Sequence, residues 1–417
     1  MSANPPPGSA TPPPPVVRRK GDRTKIYIVI AVVVIAAVLI GVGAGTSWYG
    51  LRPSSTSTAS CPTGVTLQGE GASFPAGLVS QWSSEYEGAT SNLVNYNPAG
   101  AGAGITALTD KSVDFALTDE PLTSSQNTAL IAAVGTYLTL PVTGGAVVLV
   151  YHIPGFSGTL NLTASDIAGI FNGTYTEWNN TALVANNPGL SSITVGITSV
   201  HRSDPAGMTY VLTNLLTLEN KTWRNNPNLG TSLLPTWPTI TGTAGGLGSV
   251  GASGNSAMLK DVSTDAGGTI GYTDLYDAQL KGLTVASIEN SASKFIAPTV
   301  ADTASAIGDV YNATKSSLPS PTGDWASVTW VNASGSGDYP LATLVYLLVP
   351  LNPGAGHTAN AADATVLRQW IYWAATQGQD YSRSDFPFTS PPAALLTQDT
   401  SVLGTMTFNG TSFLSCT

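Results

Sequence analysis

Short apolar strands alternate with amphipathic helical stretches from Val65 onward, and this alternation predicts an α/β fold with mixed, mainly parallel sheets. Two further observations shape the prediction. The roughly 350 residues after Cys61 exceed one compact core, which points to two lobes. Three glycine-rich turns each join a strand to a helix, the junction where such folds place ligands. No 20–50-residue period recurs, so a solenoid or propeller is excluded.

The elements follow in order. VTLQGEG reads as a strand, and FPAGLVSQWSSEYEG as a helix burying Leu78, Val79, Trp82 and Tyr86 at helical spacing. LVNYNPAG and SVDFALTD are the second and third strands. AVVLVYHI is a buried strand and TVGITSV another. MTYVLTNLLTLENKTW, residues 208–223, reads as one helix with Tyr210, Leu212, Leu215, Leu216 and Leu218 on a broad apolar face. LATLVYLLVPL reads as a long strand, although periodicity alone leaves a buried helix open. DATVLRQWIYWAATQG is a helix expected to end at Gly378.

The N-terminal end is no part of this fold. Residues 1–25 are Pro-rich and then basic, with Arg18, Arg19, Lys20, Arg23 and Lys25, and read as a cytoplasmic tail. Residues 26–46 run without a charge for the length a helix needs to cross a bilayer. Five cations before this stretch, against Arg52 just after it, place the N-terminus inside and the remainder outside the cell. A cleaved secretory signal is the alternative, although its apolar region is normally shorter. Residues 47–62 read as a linker, and 63–417 as the folded domain.

Composition agrees with export. Only 10% of residues are charged, well under the usual quarter, and Ser, Thr, Asn and Gly take their place. A net charge of −9 argues against a nucleic-acid partner. Three histidines and two cysteines form no evident metal site, and no cofactor is expected. Cys61 and Cys416 bracket the exported domain, and a Cys61–Cys416 disulfide is expected in an oxidising compartment.

The three turns are Gly69–Pro75, Gly100–Ile105 and His201–Thr209. A helix N-terminus offers unpaired N–H groups and partial positive charge, so each turn is suited to an anion; each is also an ordinary structural turn when taken alone. Asp119 lies about 20 residues beyond Gly100, the spacing of a dinucleotide fingerprint. That reading fails, because the stretch from Gly104 to Val113 is too short for the crossover helix it requires. No phosphate-binding loop of the G-K-S/T type follows any turn. Nor is there a nucleophile–base motif, so an enzyme is not expected.

Six segments in order, from Leu67 to Leu396, resemble the phosphate-binding receptors of ABC importers, members of the periplasmic-binding-protein superfamily. They are GEGASFPAGLVSQWSSEY, NYNPAGAGAGI with SVDFALTDEPL, IAGIFNGTYTEWNN, NPGL, HRSDPAGMTYVLTNLL and GGTIGYTDLYDA. The resemblance implies a two-lobed fold with two hinge crossings that closes on one oxyanion. Lobe one is then expected at about 63–141 and 325–417, and lobe two at about 142–324. It also implies a monomer that delivers phosphate or a related oxyanion to ABC permease subunits.

Residue by residue, the resemblance implies that Ser73 and Phe74 supply a hydroxyl and a backbone N–H. It assigns Asp119 as acceptor for a protonated oxyanion oxygen, Arg202 as the guanidinium fork, and Asp204 as the carboxylate orienting that fork. Arg202–Asp204 as an ordinary structural pair is the plain alternative. The family's hydroxyl ligands are replaced by Ala101, Ala206 and Met208, and Pro205 stands for a glycine. Gly102 and Gly207 keep room for backbone donors, and Thr209 is a candidate substitute hydroxyl. Met208 is expected to make a less polar pocket. These losses leave a second reading open: a degenerate receptor fold serving as a surface or sensory protein.

Overall fold

Sixteen consecutive residues, Tyr137–His152, form the strand on which the domain is organised. The computed structural model describes residues 60–232, 234–239, 248–264, 267–384 and 386–416. The tail, the apolar stretch 26–46 and most of the linker lie outside the described residues. Among those described, no helix is long and apolar enough to cross a membrane.

The strands of the main sheet are β1 (Thr66–Gly71), β2 (Leu93–Asn97), β3 (Phe115–Thr118), β4 (Tyr137–His152), β5 (Ile197–Arg202), β6 (Gly248–Ala252), β7 (Gly268–Asp274), β8 (Thr284–Val285) and β9 (Ala342–Pro350). Their order is β2-β1-β3-β9-β4-β7-β5-β6, with β8 pairing on β4. The outer pairs β1–β2, β1–β3, β5–β6 and β5–β7 are parallel. Antiparallel pairing is concentrated at the centre, where β4 meets β9, β7 and β8.

Strand β4 changes partner along its length. Its first part pairs with β9 up to Ala146, and from Val147 onward it pairs with β7. One continuous strand therefore joins the β9 side of the sheet to the β7 side. The chain returns beside the junction: the Val147 amide donates to the Leu341 carbonyl, and the Tyr339 hydroxyl donates to the Val147 carbonyl.

Strand β4 begins nine residues before the apolar run AVVLVYHI that announces it. Pro141 and the pair Gly144–Gly145 hide that first part, since Pro lacks the ladder N–H and Gly weakens a strand. The sheet absorbs Pro141 at a register shift opposite Val345 and Tyr346, leaving Val142 as the extra residue. LATLVYLLVPL, open between strand and helix, is strand β9, buried throughout.

The helices that position the site are α1 (Ala76–Thr90), α2 (Ala101–Thr109), α3 (Gly207–Glu219), α4 (Gly254–Thr264) and α5 (Leu275–Leu280). Helix α1 buries Leu78, Val79, Trp82 and Tyr86, the four residues its spacing selects. The single helix expected over residues 208–223 instead breaks after Glu219. Asn220 is extended there, and its side chain accepts from the Trp223 amide, so it caps a new turn, Lys221–Arg224. The helix expected to end at Gly378 stops at Ala375, and Gly378 opens the next one. The Gly378 carbonyl accepts the Trp82 indole N–H at 2.7 Å. Cys61 and Cys416 are joined by a disulfide, with Cα atoms 5.8 Å apart.

Candidate functional site

Three strands, β1 and β3 running one way and β5 the other, end at one place. Ser73 and Phe74 follow β1, Asp119 follows β3, and Arg202 is the last residue of β5. The carboxyl ends of parallel strands are where α/β sheets expose loops and helix N-termini to a ligand. Helices α2 and α3 start at the same place, at Ala101 and Gly207. The second glycine-rich turn is itself helical: Gly102 and Gly104 lie within α2, and Gly100 precedes it. A side chain at Gly104 would collide with backbone of Glu70 and Gly71 at 2.5 Å, so glycine lets this helix pack tightly on β1.

Arg202 is 1% exposed, and its fork is largely committed. Nε donates to Asp204 Oδ1 at 2.7 Å, and Nη2 donates to Asp204 Oδ2. Nη1 donates to Asn255 Oδ1 at 2.8 Å and reaches Ser73 Oγ at 3.4 Å. The Gly254 amide also donates to Asp204 Oδ1, at 3.0 Å. Burial raises the Asp204 pKa, but the hydrogen bonds from Arg202 and Gly254 outweigh it and hold the carboxyl below its usual range. Behind the fork, the Arg202 amide donates to the Tyr272 hydroxyl, which pairs with Thr209 Oγ1 at 2.7 Å.

Asp119 faces the start of α3. An ideal Cβ on Gly207 would lie 1.9 Å from Asp119 Oδ1, so only glycine coexists with this carboxylate. Asp119 is 2% exposed, and its Oδ1 has no hydrogen-bond partner among the described residues. Burial pushes its pKa up to about 6, with its own backbone amide and the Arg202 charge pulling the other way. The adjoining Glu120 is also buried, and burial together with the Asp119 charge raises it well above the usual carboxylate range. Asp119 thus offers an acceptor that meets a hydrogen-bearing oxygen favourably and repels a bare anionic one.

The other predicted residues divide. Ser73 Oγ is at the fork and donates to Asn255 Oδ1 at 3.1 Å. The Phe74 ring lies in the hydrophobic core, edge-on to Phe388, so only its backbone is left to face a ligand. Ala101 and Ala206 are buried at the starts of α2 and α3. The Met208 side chain packs in the core, which corrects the expectation of a less polar pocket: an unbranched thioether one residue into α3 falls on its inward face. The Thr209 hydroxyl pairs with the Tyr272 hydroxyl, which leaves it further hydrogen-bonding capacity. Gly102 lies against Pro205.

Asn255, Tyr272, Asp274 and Glu120 belong to the site without being singled out by its motifs. Tyr272 and Asp274 stand inside GGTIGYTDLYDA, where the segment as a whole and not these side chains carries the resemblance. Asn255 had a weaker signal, a Ser-Gly-Asn turn just after a short strand.

The model of a PBP superfamily domain matches residues 56–377. The chain belongs to the PBP superfamily. Within this superfamily its relatives are phosphate-binding receptors. It is 30% identical over 346 residues to the phosphate-binding protein PstS of Xylella fastidiosa, spanning 82% of this chain and 84% of that protein. It is 29% identical over 374 residues to PstS of Methanocaldococcus jannaschii, spanning 86% and 90%. The receptor fold is shared with the solved high-affinity periplasmic phosphate-binding protein PfluDING, at a TM-score of 0.61 and 19% identity, covering 80% of this chain and 92% of that one.

Proposed function

We propose that the chain is a membrane-anchored extracellular receptor that captures phosphate, or a closely related oxyanion, and presents it to an ABC permease. One observation carries the reading: the buried Arg202–Asp204 fork lies across the cleft from Ser73, with Asp119 set against the N-terminus of α3. The guanidinium and the helix N-termini supply positive potential, and Asp119 selects an oxyanion that still carries a proton. A basic surface is unnecessary, which reconciles an anionic ligand with a net charge of −9.

In this reading Arg202 and Ser73 donate through side chains. Phe74, Gly102, Gly207 and Met208 donate through backbone N–H groups, and Asp119 accepts. With Ala101, Ala206 and Met208 in place of hydroxyl ligands, the site relies on main-chain donors to an unusual degree. Each charge-assisted hydrogen bond is worth about 1.5–3 kcal/mol, so affinity below that of hydroxyl-rich relatives is expected. The intact fork and Asp119 favour a binding receptor over a surface protein that has lost its ligand.

The apolar, charge-free stretch 26–46 supports the tether, and the Cys61–Cys416 bridge supports an oxidising exterior. In the same reading lobe one spans about 63–141 and 325–417, and lobe two the residues between them. The test is isothermal titration of the full chain in detergent with phosphate, sulfate and methylphosphonate. Saturable heat with phosphate and none with sulfate is expected; no phosphate binding at millimolar concentration rejects the ligand.

A further inference from the structure

Asn255 is the second residue of α4, buried, and its amide is used at both ends. Oδ1 accepts from Arg202 Nη1 at 2.8 Å and from Ser73 Oγ at 3.1 Å. Nδ2 donates to Asp274 Oδ2 at 3.0 Å and to Asp277 Oδ2 at 2.9 Å. The orientation of the amide follows from its neighbours, since donors lie on one side and carboxylates on the other. Asp274 is itself held, capping α5 by accepting from the Asp277 amide at 2.8 Å.

We propose that Asn255 is a positioning residue: it holds the second edge of the Arg202 guanidinium in place with the cleft open or closed, and its Oδ1 docks Ser73 beside that edge when the lobes close. This rests on reading the cleft as an oxyanion site. Asp204 grips Arg202 by Nε and Nη2 alone, and a planar fork held along one edge can still tilt. Asn255 supplies the third point, and Asp274 and Asp277 keep it from turning. The same Oδ1 collects Ser73 from the other lobe, so a separated cleft loses that contact while the arginine stays held.

The side-chain type is restrictive. Alanine removes both ends. Aspartate accepts at both ends and places a third carboxylate beside Asp274 and Asp277, facing Arg202, whose other edge Asp204 occupies. Lowering the pH returns a proton to that cluster and with it a donor.

The experiment compares wild type, Asn255→Ala and Asn255→Asp as full chains in detergent. Inorganic phosphate is titrated at pH 8 and pH 5.5, each variant against wild type at the same pH. The 15N signals of the Arg202 side chain are recorded without ligand. Positioning predicts at least a tenfold weaker Kd for Asn255→Ala. It predicts a similar loss for Asn255→Asp at pH 8 that shrinks at pH 5.5, and Nη signals of Asn255→Ala merged by free rotation. Wild-type affinity in Asn255→Ala with its Nη signals still resolved overturns the proposal. If wild type binds no phosphate, the ligand assignment falls separately, and the Nη signals decide the positioning role by themselves. Should Asn255→Ala fail to fold, Asn255→Asp carries the test: a loss that does not vary with pH rejects the proposal.

Discussion

All three nitrogens of the Arg202 fork are engaged at the site, and removing its partner should be felt throughout the domain. Asp204→Ala leaves a guanidinium that is 1% exposed with half its fork unmet, a loss of about 3 kcal/mol as for other broken buried pairs. Urea unfolding of the ligand-free chain measures it, and phosphate-induced thermal stabilisation should disappear in the same variant. Asp119 carries the second prediction at this scale. With its pKa near 6, the carboxyl is ionised at pH 7.5 and largely protonated at pH 5. Because the folded pKa is raised, its contribution to stability is fully present below about pH 4 and is lost as pH rises through 6. Ligand-free wild type should therefore gain stability on acidification over that window relative to Asp119→Asn. Phosphate affinity should move the opposite way, weakening below pH 6 as the acceptor is filled. Titration calorimetry and thermal melts at matched pH check both signs.

Among the elements, α3 decides how closely a ligand approaches main-chain donors. Its inward face, Met208, Val211, Leu212, Leu215 and Leu216, is buried in the hydrophobic core. Gly207→Ala should therefore leave the helix intact. Its new methyl group would sit where Asp119 Oδ1 now lies, displacing the carboxylate. At least a tenfold loss of phosphate affinity with little change in Tm is expected, read by calorimetry and thermal melting. The same helix shows where periodicity misleads. Trp223 alone extends the helical spacing past Glu219, yet Asn220 turns the backbone out and caps a separate turn, so that Trp223 is buried with its indole N–H on the Gly230 carbonyl. Burial of one large side chain with a satisfied N–H outweighs continuing the helix.

Across the whole molecule, the ends are tied and the lobes touch. The Cys61–Cys416 bridge joins residues 355 positions apart, which in the chain-entropy model disfavours the unfolded state by about 6 kcal/mol. Cys61→Ser should lower the urea midpoint accordingly while leaving the phosphate Kd unchanged, because neither cysteine is near the fork. Contacts across the cleft are made by Ser73 with Asn255, by Pro205 with Gly102 and by Tyr276 with Gly77. In the proposed receptor such contacts part for a ligand to enter, and β4 with the return beside Val147 would guide that hinge motion.

What the residues disclosed unaided was local. The strand-to-helix turns at Ser73, Gly100 and Arg202, the apolar faces of α1 and α3, and the Asp119 position are each written within a few neighbouring residues. Capping, glycine geometry and helical spacing act over that range. Tertiary structure alone decided the rest. Ser73 and Asn255 are 182 residues apart and meet only because β1 and α4 abut across the cleft. The inward turn of Met208, the Tyr272 bond to Thr209 and the change of partner along β4 likewise depend on which surfaces pack together. Hydrogen bonds and burial between distant segments leave no periodic mark in a chain, because each partner is chosen by the folded sheet rather than by its neighbours.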